Sequence, residues 1–303
     1  MEIKEWTYEE YPAFDEPVEG AIRIPTTGDE KGTYIYSNVE YANVNGVPLH
    51  LQIITPQARN LPHTVHPCIV YVQGSAWLPQ NINAKLGLLS RLAEKGYVIA
   101  VVEYRNSEIA PFPAVAVDTR NAIRFMRLHA ADYLVDPETM FVGGDSSGAH
   151  AAMFSQILQD DAEASNLYPG IRADVKGVLS FYGANSMMLA DGTPSTLNHH
   201  LPDSPEGKEM GGVNLREHPE LCRKMSVECN IDPDTNFPPV LMFHGTKDRT
   251  INPRVSVTVY NRLKQCGKDV QLYLLEGADH GGSEFWTEEI QEIVIRFLTR
   301  LGA

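Results

Sequence analysis

The chain alternates short apolar segments of β-forming residues with longer helical patterns, and this alternation limits the folds open to it. Strand candidates lie at 69–72, 97–103, 140–142, 175–181, 240–243 and 270–275. Helical patterns lie near 84–95, 114–129, 147–160, 253–266 and 284–300. An order of this kind produces a mostly parallel sheet that is covered by helices on both faces. The sequence therefore predicts an α/β fold.

The N-terminal part of the chain differs from this alternation. Apolar residues alternate over 39–55 and are interrupted at Asn45-Gly46, which is typical of an antiparallel hairpin. Residues 1–37 are polar and rich in Glu, Pro, Gly and Thr, which favours an arm on the surface of the domain. We expect one domain over 38–303, because a single α/β domain can reach this size.

Residues 184–236 form a connection too long for an ordinary loop. Insertions of this length in a compact domain are usually lids or binding loops, so we interpret this one as a cap over the edge of the sheet. Met187, Met188 and Leu189 would then shape a pocket. The alternative is a solvated surface excursion with one or two short helices.

One strand candidate leads into a Gly-x-Ser-x-Gly pattern at 144–148, which is followed by small residues typical of a helix start. The pattern marks a sharp strand-to-helix turn that exposes a serine hydroxyl for nucleophilic attack. Glycines two places before and after the serine keep the strand and the helix from colliding. Ser146 fits this register, whereas Ser147 does not, because Asp145 stands two places before it.

A nucleophilic serine needs a base and a group that orients the base. Asp248 follows the strand candidate at 240–243, and His280 lies in the loop after the candidate at 270–275. The carboxyl ends of parallel strands meet at one edge, so Ser146, Asp248 and His280 should converge there. Their order along the chain is that of the α/β-hydrolases. In the simpler interpretations, Asp248 caps the next helix and His280 is an ordinary loop histidine.

From about residue 38 onward the chain resembles α/β-hydrolases of the esterase and lipase group. It is most similar to the hormone-sensitive-lipase-like and the BD-FAE-like (bacterial feruloyl and acetyl-xylan esterase type) carboxylesterases. The resemblance is carried by 144–148, 243–248, 277–281 and 71–77.

The last of these segments matches the position where relatives carry His-Gly-Gly-Gly-Trp, whose backbone N–H groups help to form an oxyanion hole. This chain departs from that pattern, since Gln73 replaces the histidine, and Ser75 and Ala76 replace two glycines. The resemblance implies Ser75, Ala76 and Ser147 as oxyanion donors. It leaves open which of Ser75 and Ala76 points inward.

The resemblance also implies a serine carboxylesterase that forms an acyl-enzyme on short-chain esters. Acetylated or feruloylated plant-polysaccharide fragments are its candidate natural substrates, and neither a cofactor nor a metal is expected. The same chemical groups cleave peptides, so a serine aminopeptidase or oligopeptidase is the alternative. Against it, the sequence shows no propeller domain and no evident acidic pair for a peptide amino terminus. A non-catalytic binding protein on this fold is a third interpretation.

Several other polar residues near these segments have ordinary structural interpretations. We expect His150 and His244 to be packing histidines, and Asp279 to be a solvated or loop-bracing carboxylate. Trp77 is the candidate substrate-binding residue, with a place in the core as its alternative. The remaining histidines show no paired carboxylate or cysteine spacing for a metal site.

Composition excludes some classes of partner. A formal net charge of -14 argues against nucleic-acid backbones and anionic lipid surfaces, and no apolar run is long enough for a membrane span. The cysteines lack CxxC spacing, which is typical of reduced thiols, although a link between Cys222 and Cys229 is allowed. With no export signal visible, we expect a cytoplasmic enzyme that acts on a small-molecule or oligosaccharide ester.

Overall fold

The computed structural model describes residues 3–60, 64–158, 166–188 and 193–303. Within these residues the fold is built on an eight-stranded sheet in the order β1-β2-β4-β3-β5-β6-β7-β8. The strands are β1 Gly32–Val44, β2 Val47–Gln57, β3 His66–Val72, β4 Val98–Val102, β5 Val135–Asp145, β6 Val178–Phe181, β7 Val240–Gly245 and β8 Val270–Leu275. β1 with β2 and β2 with β4 are antiparallel pairs, and all later neighbours are parallel. The predicted α/β class is confirmed.

Helices cover both faces of this sheet. They are α1 Leu86–Glu94, α2 Ala114–Leu128, α3 Ser147–Ile157, α4 Pro205–Glu209, α5 Pro219–Lys224, α6 Arg254–Gln265 and α7 Glu288–Arg300. Buried side chains of α2, α3 and α6 pack on one face, and those of α1 and α7 pack on the other. Successive residues of β3 alternate between the two cores, since Val70 faces the first and Tyr71 the second. Both faces of the central strands are therefore buried, as their apolar sequences require.

The N-terminal hairpin is longer than the sequence predicts. β1 begins at Gly32, inside the range assigned to the arm. The predicted turn is present, because Asn45 and Gly46 both have positive φ angles, of 54° and 86°. Residues 3–31 are exposed almost throughout, and Tyr8 accepts a hydrogen bond of 2.7 Å from the guanidinium of Arg59.

The insertion between β6 and β7 packs on the edge of the sheet. It contains α4 and α5, and its main chain is tied to the rest of the domain by several hydrogen bonds. The N–H of Phe112 donates to the Glu209 carbonyl at 2.9 Å, and Nε2 of His150 donates to the Met225 carbonyl at 2.9 Å. These contacts attach the insertion to the loop before α2 and to α3, beside the carboxyl ends of the strands.

Of the three residues predicted to shape a pocket under the insertion, Met187 is buried and Met188 is 38% exposed. Both line a cavity of about 130 Å³ with Leu215 and Cys222. Leu189 lies outside the described residues. No helix in the described ranges is both long and apolar enough to cross a lipid bilayer.

Candidate active site

Ser146 stands alone between a strand and a helix. β5 ends at Asp145 and α3 begins at Ser147, and Ser146 has φ 51° and ψ -125°. Side chains other than glycine rarely adopt such a positive φ, and backbone strain of this kind is concentrated at functional sites. The Ser146 N–H donates to the Phe181 carbonyl at 2.9 Å, which helps to hold the turn.

The two glycines of the motif allow the strand and the helix to approach closely beneath Ser146. A Cβ on Gly144 would lie 2.4 Å from the carbonyl oxygen of Gly148. A Cβ on Gly148 would lie 2.0 Å from the carbonyl oxygen of Val72. Because these neighbours are backbone atoms that cannot move aside easily, any side chain at either position would push the helix away from the sheet.

His280 joins the serine to a carboxylate. Its Nε2 lies 3.0 Å from Ser146 Oγ, and its Nδ1 lies 2.7 Å from Asp248 Oδ2. An ionised carboxylate only accepts hydrogen bonds, so Nδ1 carries the ring proton and Nε2 is left to accept from the serine hydroxyl. Asp248 is buried, whereas Ser146 and His280 are partly exposed. The structure thus brings together the three residues predicted from the ends of three different strands.

Both carboxylate oxygens of Asp248 accept hydrogen bonds. Oδ1 accepts from the N–H groups of Thr250 at 2.9 Å and Ile251 at 2.8 Å, while Oδ2 faces His280. Asp248 therefore braces the loop before α6 and does not cap that helix, which begins at Arg254. It still contacts the imidazole. Burial alone would raise the pKa of Asp248, but hydrogen bonds from His244 and His280 outweigh it and hold the pKa well below its ordinary value. The carboxylate stays ionised beside the imidazole.

His244, at the end of β7, contacts this carboxylate in a way that the sequence did not indicate. It is fully buried, and its Nε2 lies 3.1 Å from Asp248 Oδ2 and 2.9 Å from the Ile251 carbonyl. Since both neighbours are acceptors, Nε2 carries the proton. Nδ1 lies 2.6 Å from the Ser256 hydroxyl on α6. The predicted packing histidine is therefore also a hydrogen-bond donor that helps to position Asp248.

Asp279 braces the loop of His280 from outside, in agreement with the interpretation made from the sequence. Its Oδ1 accepts from the N–H groups of Arg249 at 3.0 Å and His280 at 2.8 Å, and its Oδ2 accepts from Arg249 Nε at 2.7 Å. The bonds from Arg249 lower the pKa of Asp279 to about 2. This carboxylate links the acid loop to the histidine loop and leaves the contact with the imidazole ring to Asp248.

The backbone N–H groups in the loop after β3 differ in whether they already have a hydrogen-bond acceptor. The N–H of Ser75 donates to Ser147 Oγ at 3.0 Å, and the Ser75 hydroxyl contacts the hydroxyl of Tyr104 at 2.8 Å. Ala76 has a φ of 57°, in the region that favours glycine. Across the described residues, the N–H groups of Ala76 and Ser147 have no assigned protein acceptor. These two donors are available to a ligand, whereas that of Ser75 is occupied.

Trp77 lies in the core, which is the alternative that the sequence left open for it, and its role in substrate binding stays a prediction. Its side chain is 1% exposed, because the indole packs edge-on against His150 with ring centroids 5.4 Å apart. His150 is itself buried, and this burial lowers its pKa to about 4. His150 is thus a neutral packing histidine, as predicted.

A buried polar cluster beneath His280 was not predicted. The ring of Tyr182 lies edge-on to the imidazole at 5.0 Å, and its hydroxyl lies 3.3 Å from Asp145 Oδ2 and 3.2 Å from Lys85 Nζ. Lys85 pairs with Asp145, whose Oδ1 accepts from the Tyr71 hydroxyl at 2.8 Å. Asp145 immediately precedes the serine, so the cluster connects the strand of Ser146 to the surroundings of His280.

Nothing in the described ranges resembles a metal centre, since no three His, Cys, Asp or Glu side chains there lie close enough to hold an ion. All four cysteines are free, so the link between Cys222 and Cys229 that the sequence allowed is not formed.

The sheet order and the contact of serine, histidine and aspartate at its carboxyl edge define an α/β-hydrolase. The BD-FAE family model matches residues 51–263. The chain belongs to this family, and the resemblance inferred from its motifs is confirmed.

Two relatives illustrate the similarity in sequence. A probable isoprenylcysteine alpha-carbonyl methylesterase, ICMEL1, from Oryza sativa subsp. japonica is 26% identical over 249 residues, covering 75% of this chain and 56% of that protein. The esterase LipC from Mycobacterium tuberculosis is 26% identical over 226 residues, covering 74% of this chain and 55% of that protein. The match thus spans about half the length of these relatives.

Solved structures show the same fold. A truncated carbohydrate esterase from gut microbiota superposes with a TM-score of 0.75 at 22% identity, covering 91% of this chain and 98% of that one. The esterase Est2 of Thermogutta terrifontis superposes with a TM-score of 0.70 at 23% identity, covering 89% of this chain and 93% of that one.

Proposed function

We propose that this protein is a serine carboxylesterase in which Ser146 is the nucleophile, His280 the general base and Asp248 the residue that orients it. The observation that carries the proposal is the unbroken hydrogen-bond path from Asp248 Oδ2 through His280 to Ser146 Oγ, with steps of 2.7 and 3.0 Å. The partly exposed serine hydroxyl and the esterase names of the relatives support an ester as substrate.

In the first half of the reaction, Ser146 Oγ bonds to the ester carbonyl carbon while its proton passes to His280 Nε2. The N–H groups of Ala76 and Ser147 stabilise the oxyanion, each by roughly 100- to 1000-fold in turnover. The imidazolium returns its proton to the alcohol oxygen as the C–O bond breaks, which leaves an acyl-Ser146. Water, deprotonated by His280, then releases the carboxylic acid and regenerates the hydroxyl.

We further propose short acyl groups as substrates, with acetylated or feruloylated polysaccharide fragments among them. Similarity in fold to a carbohydrate esterase from gut microbiota supports a sugar ester. The insertion at 184–236, through α4 and α5, serves as the cap that shapes the site. The cytoplasmic location stays a prediction.

A substrate panel tests the reaction. We expect hydrolysis of p-nitrophenyl acetate and butyrate and of acetylated xylo-oligosaccharides, and little cleavage of aminoacyl p-nitroanilides. Preference for the anilides would favour the peptidase alternative. Ser146→Ala should lower ester turnover by roughly a million-fold while leaving the circular-dichroism spectrum unchanged. A Ser146→Ala protein that retains a tenth of the activity would rule out this nucleophile.

A further inference from the structure

Three hydroxyl groups meet where the loop after β3 passes the start of α3. The Tyr104 hydroxyl lies 2.8 Å from the Ser75 hydroxyl and 3.5 Å from Ser147 Oγ. Ser147 Oγ also accepts a hydrogen bond of 3.0 Å from the Ser75 N–H. Tyr104 and Ser147 are buried, at 4% and 1% exposure. These three residues, which we call the hydroxyl network, thus connect segments that are far apart in the chain.

The direction of each bond in the hydroxyl network follows from the number of protons present. The Ser75 hydroxyl has a single proton, which it donates to the Leu78 carbonyl. Between Ser75 and Tyr104 the phenol is therefore the donor. Burial raises the pKa of Tyr104 above its ordinary value, so the phenol keeps this proton at neutral pH. Its oxygen is then left to accept at the longer contact with the Ser147 hydroxyl. Each hydroxyl group has both a donor and an acceptor.

The hydroxyl network lies beside the nucleophile. The loop that carries Ser75 runs directly against Ser146, because a Cβ on Gly74 would lie 2.8 Å from the Ser146 Cβ. Ser147 follows Ser146 and is the first residue of α3. The bond between Ser75 and Ser147 therefore joins the two segments that carry the free N–H groups of Ala76 and Ser147. The separation of these two donors depends on that bond.

The loop also has a backbone conformation that its residues do not favour. Ala76 and Trp77 have φ angles of 57° and 55°, which are unfavourable for residues with a Cβ and persist only where the surroundings hold them. The Trp77 carbonyl accepts from the Ser107 N–H at 2.8 Å, and the Leu78 N–H donates to the Ser75 carbonyl at 3.1 Å. Ser75 thus anchors the strained turn on its N-terminal side, and the hydroxyl network holds Ser75.

We propose that Tyr104 is a positioning residue for the oxyanion hole, whose hydroxyl holds Ser75 so that the N–H groups of Ala76 and Ser147 point at the same oxygen. Tyr104 acts through Ser75 and does not itself touch the substrate. This inference rests on the proposed ester hydrolysis and adds a residue on which that reaction depends. Donors that are already aligned stabilise the oxyanion without rearranging as its charge develops. Loss of the Tyr104 hydroxyl therefore affects the transition state more than the bound ester.

Tyr104→Phe removes one oxygen atom and keeps the aromatic ring. With p-nitrophenyl acetate we expect kcat to fall roughly 10- to 100-fold, which is less than the loss of a whole donor costs. KM should change less than threefold, because the oxyanion forms only after binding. Tyr97→Phe is the matched control, since Tyr97 is also buried and lies at the opposite end of β4. It should leave both constants unchanged.

A boronic acid separates positioning of the oxyanion hole from general damage to the site. Methylboronic acid can bond to a nucleophilic serine and form a tetrahedral adduct that resembles the transition state, and such analogues depend on the same contacts as the transition state. We expect its inhibition constant to rise in Tyr104→Phe by about the factor by which kcat/KM falls. Ser147→Ala removes the acceptor of the Ser75 N–H and keeps the backbone N–H of residue 147. Because both substitutions act through Ser75, their combined loss of kcat/KM should be smaller than the product of the single losses.

Three results would overturn the proposal: an unchanged kcat in Tyr104→Phe, an equal loss in Tyr97→Phe, or a combined loss with Ser147→Ala that equals the product of the single losses. If Tyr104→Phe does not fold, Ser75→Ala removes the hydroxyl that Tyr104 holds, and an unchanged kcat there would overturn the proposal equally. A wild-type protein without ester hydrolysis would refute the proposed function and this inference together. An active wild type with an equally active Tyr104→Phe would refute the inference alone.

Discussion

The protonation of Glu209 can be tested through stability alone. Its pKa is raised from 4.5 to about 9 by burial. Between these values the folded protein holds a proton that the unfolded chain releases, so raising the pH favours unfolding. The stabilising contribution of this proton is complete below about pH 4.5 and is lost as the pH rises toward 9. Each pH unit well above 4.5 costs about 1.4 kcal/mol, so about 3 kcal/mol is lost between pH 4.5 and pH 7.

Glu209→Gln removes this proton equilibrium and keeps the shape of the side chain. Urea denaturation of both proteins at pH 5.5, 6.5 and 7.5 would give their free energies of unfolding. We expect the advantage of the Gln protein to grow by about 1.4 kcal/mol per pH unit, because all other titrating groups are shared. Glu217→Gln, at an exposed position, should follow the wild type. If the free energies of unfolding of the wild type and Glu209→Gln changed equally with pH, Glu209 would be ionised or paired in the folded protein. That result would refute the reasoning.

Three further substitutions test the local geometry. Asp248→Asn should lower kcat by roughly 10,000-fold because it disturbs the imidazole tautomer, while Asp279→Asn should cost less than tenfold; equal losses in steady-state assays would contradict the assigned roles. Ala76→Gly should raise the free energy of unfolding by about 1 kcal/mol by relieving a positive φ, and a lower melting temperature would argue against that backbone. Gly148→Ala should cost about 3 kcal/mol or more, because its Cβ would meet the Val72 carbonyl; a wild-type denaturation midpoint would contradict this packing.

The sequence predicted those parts of the site whose positions follow from local patterns, namely the strands and the residues at their ends. Alternating apolar segments indicated the parallel sheet, and the ends of three strands indicated where Ser146, Asp248 and His280 would meet. β8 was predicted with its observed limits, Val270–Leu275, because turn residues bound its apolar run. The roles of these three residues in catalysis stay predictions, but their convergence required only strand positions and the handedness of the connections.

Contacts between residues that are far apart in the chain have no such local signal in the sequence. His244 has the apolar neighbours of any buried strand, and its contact with Asp248 depends on how the following loop turns back. Tyr182 reaches Asp145 and Lys85 only once β5, β6 and α1 are packed together. The orientation of Trp77 was equally hidden, since two successive positive φ angles, 57° at Ala76 and 55° at Trp77, are not encoded by glycines here.

Glu209 shows most clearly why the environment of a residue in the insertion is harder to predict than the positions of Ser146, Asp248 and His280. α4 spans Pro205–Glu209, and a helix of this length is held in place by its contacts and not by its own stability. In sequence, a glutamate in a polar insertion is most simply interpreted as solvated; only the packing against the loop before α2 buries it without a partner. Ser146, Asp248 and His280 are thus placed by the sheet, whereas Glu209 is placed by the insertion. Changes within 184–236 can therefore alter the surroundings of Glu209 while the geometry at Ser146 is preserved.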